Sequence, residues 1–123
     1  MTIGERVYAL LSRSKRLTAK LVKDRLGRCI YHGRSPDAGS YPIIVYSIIS
    51  DVPALAGDGF EIERKVTVRI HILTKDARYE EIYEAVQEVM LSAGFLRYSS
   101  QEFAEKELFV KMVDYKIGTG VDD

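Results

Sequence analysis

Apolar side chains recur along the chain with two periods, and each period predicts a kind of element. Near the start, Ile3, Val7, Leu10, Leu11, Leu17 and Leu21 fall close to helical spacing, broken by the polar stretch from Ser12 to Arg16. Thr2 and Glu5 form a capping-box pair, in which a hydroxyl and a carboxylate satisfy the first free amides, and Gly27 suits a stop. The spacing predicts two helices, about 3–12 and 17–26, or one bent helix across both. Turn formers fill Gly33 to Ser40 and predict a loop. Tyr41 to Ile49 is apolar on both faces and rich in β-branched residues, as suits a strand buried on both sides.

From Phe60 to Leu73 the side chains alternate. Ile62, Val66, Val68, Ile70 and Ile72 share one face, and Glu61, Glu63, Lys65, Thr67, Arg69 and His71 share the other. At about 3.3 Å per residue such a strand spans roughly 46 Å, longer than a core of this size needs, so part of it is expected to bend or project. Between it and its partner lies Ser50 to Gly59, with Pro53 and the turn Gly57-Asp58-Gly59. A plain hairpin needs only about two to five connecting residues, so this stretch is a candidate contact arm.

A second long helix is predicted from Asp76, whose carboxylate can cap it, to Gly94. Tyr79, Ile82, Tyr83, Val86, Val89, Met90 and Ala93 form one apolar stripe along it, opposite Glu80, Glu81, Glu84 and Glu88. Strands are expected at 95–98 and about 103–117, with a loose tail at 118–123. Neither a repeat nor a linker interrupts this order, so residues 1–123 are expected to form one domain. Its class is α+β: a mainly antiparallel twisted sheet of about four strands with helices packed on one face.

Composition narrows the function classes. The chain has 123 residues, 46% hydrophobic and 29% charged, an ordinary globular balance that argues against disorder and low complexity. A single Cys, Cys29, excludes an internal disulfide and makes a reducing compartment the default. The longest uncharged stretch, Ala38 to Ser50, is well short of the roughly 18 apolar residues of a membrane span, and the cluster Val7 to Leu11 is too short for a signal-peptide core. A cytoplasmic protein is therefore expected. The net charge is zero, but residues 1–34 hold nine Lys/Arg against two acids, a net of +7 balanced by −7 in the remainder. Such a split predicts opposite faces suited to head-to-tail or ring-like association, unless Arg13 to Arg28 simply solvate a surface helix.

Reactive constellations are sparse. Cys29 and His32 have C-x-x-H spacing, but a structural zinc takes four ligands and the other histidine, His71, lies on a strand's polar face. Neither metal nor cofactor is expected. A thiol nucleophile at Cys29 lacks an oxyanion-hole or base-orienting pattern, and no Walker loop, nucleophile elbow, zincin or dinucleotide signature occurs. A small enzyme or ligand-binding domain around Cys29, His32 or His71, and a nucleic-acid module using Arg13 to Arg28, are the competing classes.

The order of these segments carries a resemblance. Tyr41-Pro42-Ile43-Ile44-Val45-Tyr46 leads through Ser50-Asp51-Val52-Pro53 and Gly57-Asp58-Gly59-Phe60-Glu61 to the strand Val66 to Lys75. Then come the helix, Met90 to Arg97, and the closing Leu108-Phe109-Val110-Lys111. This resembles the tail-completion, or tail-to-head joining, proteins of long-tailed bacteriophages and prophages, grouped with the tail terminator of phage lambda. The likeness covers about residues 3–117 and rests on order and spacing rather than on any single signature.

The resemblance implies a structural protein without catalytic activity, made in the host cytoplasm and carried in the virion tail. Its implied partners are copies of itself in a ring, expected to be a hexamer, the tail tube protein and the head connector, with DNA passing through unbound. On that basis Asp51, Pro53, Asp58, Phe60 and Arg64 are candidate interface residues on the arm, and Glu80, Glu84 and Glu88 are a candidate lining of the lumen.

Overall fold

The computed structural model describes residues 1–34, 40–57 and 60–120, with the side chains of 55–57 and 60–62 left aside. Three helices, α1 (Ile3–Arg13), α2 (Lys15–Thr18) and α3 (Glu80–Ser92), accompany five strands: β1 (Ile30–His32), β2 (Ile43–Gly57), β3 (Phe60–Thr74), β4 (Leu96–Glu105) and β5 (Leu108–Gly120). The strands form one sheet in the order β1-β2-β3-β5-β4, with β1 parallel to β2 and every other pair antiparallel. The α+β class expected from the sequence holds. The sheet has five strands rather than about four, because the three residues of β1 are too few for alternation to reveal.

Local chemistry sets where the elements begin and end. The Thr2 hydroxyl accepts from the Glu5 amide, and the Glu5 carboxylate from the Thr2 amide, so the capping box starts α1 as expected. The second helix stops at Thr18 instead of running to residue 26. Beyond it Val22 donates to the Pro42 carbonyl, and the Asp24 carboxylate takes the amides of Leu26 and Arg28, giving this backbone a non-helical alternative. Likewise α3 begins at Glu80 rather than near Asp76. Ala77 sits at φ 61°, and the Asp76 carboxylate accepts from the Arg78 amide, so 75–78 is a turn. The expected strand 103–117 is two strands meeting at a tight turn, where Lys106 adopts φ 56°. The expected loose tail is β5 as far as Gly120, because Gly118, Thr119 and Gly120 pair with Lys65, Arg64 and Glu63; residues 121–123 lie outside the described residues.

One sheet face holds the core. Ile44 and Tyr46 of β2, Val66, Val68, Ile70 and Ile72 of β3, and Val113 and Tyr115 of β5 pack with Ile3, Val7 and Leu11 of α1, Leu17 of α2, and Ile82, Val86 and Met90 of α3. Tyr115 is fully buried, and its hydroxyl donates to Gln87 of α3. Burial pushes that phenol far above its ordinary range. Lys111 fastens α3 to β4 and β5. Its ammonium lies 4.3 Å from the centre of the Tyr83 ring, 3.2 Å from Glu102 and 3.8 Å from Glu80.

No described helix covers the other face, where Arg69 and His71 of β3 adjoin Met112 and Asp114 of β5. Burial in the sheet, with Arg69 adding to it, lowers the His71 pKa from its ordinary 6.5; Asp114 and Glu105 oppose the shift. A histidine with a depressed folded pKa is neutral in both states above about pH 6.5, and as pH falls the unfolded chain takes the proton first. Stability is therefore expected to fall as pH drops below about 6.5, and His71→Gln is expected to flatten that decline. Urea midpoints for both chains at pH 7.5 and 5.5 would check this (pH values roughly bracketing the histidine range), and parallel slopes would contradict it. Glu5 and Asp24, whose carboxyls are lowered by amide donors, lose their contributions only at more acid pH, through the carboxylate range.

Candidate interaction surface

The expected arm is a continuation of the sheet rather than a loop. β2 does not stop at Ile49: beyond Ser50 it pairs with β3 through Asp51 with Val66, Val52 with Lys65, Pro53 with Arg64 and on to Gly57 with Phe60. Gly57 and Phe60 are the outermost described pair of this ribbon; Asp58 and Gly59 lie outside the described residues. Register shifts fall between Ile48 and Ser50, Pro53 and Leu55, and Leu55 and Ala56, and bulges of this kind bend a strand and increase its twist. β5 accompanies β3 as far as the Glu63–Gly120 pair, beyond which, among the described residues, β2 and β3 pair only with each other. From Ser50 to Gly57 it reaches roughly 26 Å at about 3.3 Å per residue.

The interface candidates on this ribbon do not behave alike. Asp51 and Pro53 are exposed. The Arg64 side chain is 17% exposed, and its Nε lies 3.1 Å from the Asp51 carboxylate, which is 47% exposed. Phe60 is placed in β3 by its backbone pairing with Gly57, and Asp58 lies outside the described residues.

Asp51 and Arg64 border a hollow of about 600 Å³ between the base of the arm and the start of α1, shared with Thr2, Gly4, Glu5 and His32. His32 stacks on Tyr46 at 4.6 Å, and the Tyr46 hydroxyl donates to the Gly4 carbonyl. A Cβ on Gly4 would sit 3.3 Å from the His32 ring, so this close approach favours glycine.

The acidic face of α3 meets the basic first third of the same chain. Arg16 pairs with Glu88 and lies 3.7 Å from Glu84, Lys20 lies 3.4 Å from Glu81, and Lys111 faces Glu80. Part of the charge split legible in the sequence is thus neutralised inside one molecule, although each exposed pair is worth only about 0–1 kcal/mol. The cations left over include Lys23 and Arg25, in the exposed stretch that precedes β1.

The residues singled out for chemistry lie apart. Cys29 is buried at a small hollow beside Lys23, Gly27 and Arg28, and burial raises its thiol pKa, which lowers the thiolate fraction. His32 lines the hollow at α1, and His71 sits on the sheet's other face. Among the described residues no group of three or more His, Cys, Asp or Glu could hold a metal ion.

Two exposed apolar features were not singled out from the sequence. Leu26 is 74% exposed on the turn before β1, and Leu96, Tyr98 and Phe103 are exposed along β4, the outermost strand. A helical reading of 17–26 concealed the first. The second appears only when β4 is known to be an edge, which no local pattern reveals.

No helix of the described residues is long and apolar enough to cross a membrane. No family model matches the chain. No curated protein matches it either. Among solved structures, it is similar to a chain in the virion of a native gene transfer agent particle, with a TM-score of 0.60 at 16% sequence identity, over 89% of this chain and 88% of that one. At that identity, what the two chains share is the fold.

Proposed function

We infer that the protein is a structural component of a phage-like particle, and that it caps the tail tube as a ring of its own copies while offering another surface to the head connector. The observation that carries this reading is the fold shared with a virion chain over nearly the full length of both molecules. The order of segments that resembles tail-completion proteins supports it independently. So does the exposed β2–β3 ribbon, which suits contact with a neighbouring subunit or the tube through Asp51, Pro53, Asp58 and Phe60, with Arg64 holding its base.

In this reading the protein makes and breaks no covalent bond. A ring needs heterologous contacts, one surface of a copy meeting a different surface of the next. DNA passes through the ring unbound, and α3 with Glu80, Glu84 and Glu88 turned to the channel would suit that passage, because the cations beside these carboxylates, Arg16 and Lys111, are engaged in ion pairs rather than open to phosphate. The protein then resides in the virion tail after assembly in the host cytoplasm.

Electron microscopy of the purified protein mixed with uncapped tail tubes from the same particle tests this. Added density at one tube end, with tube growth arrested, is the expected result. Tubes that keep elongating with bare ends would refute it.

A further inference from the structure

The turn before β1 is a built knob. The Asp24 carboxylate accepts the Leu26 amide at 2.8 Å, the Arg28 amide at 2.9 Å and the Tyr31 hydroxyl at 3.1 Å, while the Asp24 amide donates to the Arg28 carbonyl. Gly27 at φ 78° completes the turn. These bonds hold Leu26 out in solvent between the exposed Lys23, Arg25 and Arg28. A pre-ordered apolar tip flanked by cations matches an acidic surface with an apolar centre.

Such a surface exists on the same molecule. At the β4–β5 turn, Phe103 is 38% exposed beside the exposed Glu105 and Glu107, which outnumber the one cation between them, Lys106. Among the described residues neither glutamate lies within ion-pair distance of a cation, and the same holds for Lys23 and Arg25.

The sheet fixes how the two surfaces are related. β1 and β4 are its opposite edges, four strand spacings or roughly 19 Å apart. They are also level. The register runs Ile30, Ile44, Ile72, Lys111, Glu102 straight across, so the knob just before Ile30 and the turn just after Phe103 lie at the same end of the strands.

We propose that the basic Leu26 knob of one copy docks on the acidic Phe103 surface at the β4–β5 turn of a second copy of this chain. The contact is heterologous, since knob against knob would oppose like charges. Because donor and acceptor surfaces are level on opposite edges, repeating the contact adds copies side by side, as a ring requires. The inference rests on the ring reading above and gives that ring its contact.

Charge reversal and mixing test it, with self-association followed by sedimentation in low salt. One variant is Lys23→Glu with Arg25→Glu, and the other is Glu105→Lys with Glu107→Lys. Asp24 and Glu102 are kept, because they hold the turn and Lys111. The wild type is expected to associate, less so as salt screens the charges. Each variant alone is expected to associate at least about tenfold more weakly. An equimolar mixture is expected to recover, because the reversed knob of one variant then faces the reversed turn of the other, and the unaltered surfaces face each other.

Monomeric wild type at the highest concentration reached, a variant that associates like the wild type, or a mixture no tighter than its components would overturn the proposal. Tube capping by the same variants separates it from the reading beneath. Full capping by each variant alone removes this contact and leaves the capping role standing, whereas loss of capping restored by mixing supports both.

Discussion

Replacing residues 54–63 with Asn-Gly is expected to leave the protein folded and to abolish tube capping. Pro53 and Arg64 face each other across the β2–β3 ribbon, so the shortened chain has to bridge one directly opposed pair, which a two-residue turn with positive φ does. The cut removes no member of the core cluster, whose nearest residue on β3 is Val66, and it keeps both Asp51 and Arg64. Among the described residues outside the cut, only Gly120 at the end of β5 loses a strand partner, Glu63. The stability change is expected to stay within about 1 kcal/mol, the range of surface changes away from the core. In the capping role proposed above, contact with the tube runs through the part removed, in which, among the described residues, β2 and β3 pair only with each other beyond Glu63. Urea unfolding and electron microscopy with tail tubes would read the two effects separately. Wild-type capping by the shortened, folded chain would show that the arm is not the tube-contacting element.

What could be read from the residues, and what could not, divides by the range of the interactions involved. The α1 capping box, the buried face of β3 from Val66 to Ile72 and the apolar stripe of α3 are local patterns, and each appears where the sequence predicts it; the side chain of Ile62 lies outside the described residues. The expected continuation of the helix to residue 26 fails at its far end, where Asp24 takes the amides of Leu26 and Arg28, a competition in which helix propensity loses to a short side chain. Strand β1 exists because Ile44 offers its amide to the Cys29 carbonyl, a partner fifteen residues away that three residues of β-branched or aromatic character cannot announce. The arm was legible as an excess of chain length but not as paired strand, because Pro53 and the glycines at 57 and 59 read as breakers. Pro53 is tolerated there because the outer edge of β2 has no strand partner beyond β1 among the described residues. The balance of charge was legible only as a sum. Arg16 and Lys20 settle against α3 once the helices pack, and the cations outside these pairs include Lys23 and Arg25 of the Leu26 turn, a segment whose composition reads as the end of a helix.

The sheet face opposite the helices carries the second large effect, and it lies in the asymmetry between two partners. Arg69 and Asp114 form a bidentate pair across β3 and β5, Nε to Oδ1 at 2.9 Å and Nη2 to Oδ2 at 3.1 Å. The Asp114 side chain is 6% exposed and that of Arg69 33%. Arg69→Met therefore strands a carboxylate that cannot reach water, and is expected to cost about 3 kcal/mol, at the lower end for breaking a buried pair. Asp114→Leu leaves a guanidinium on a long stem that can swing into solvent, and should cost less, about 1–2 kcal/mol after allowance for that exposure. The double change to Met and Leu removes both desolvated charges together and is expected to be milder than Arg69→Met alone, within about 1 kcal/mol of the wild type. Denaturant unfolding of the three variants at neutral pH decides between this account and simple loss of an attraction. If attraction alone mattered, either single change would cost the same and the double change would recover nothing, because there would be no buried charge left over for the second substitution to remove.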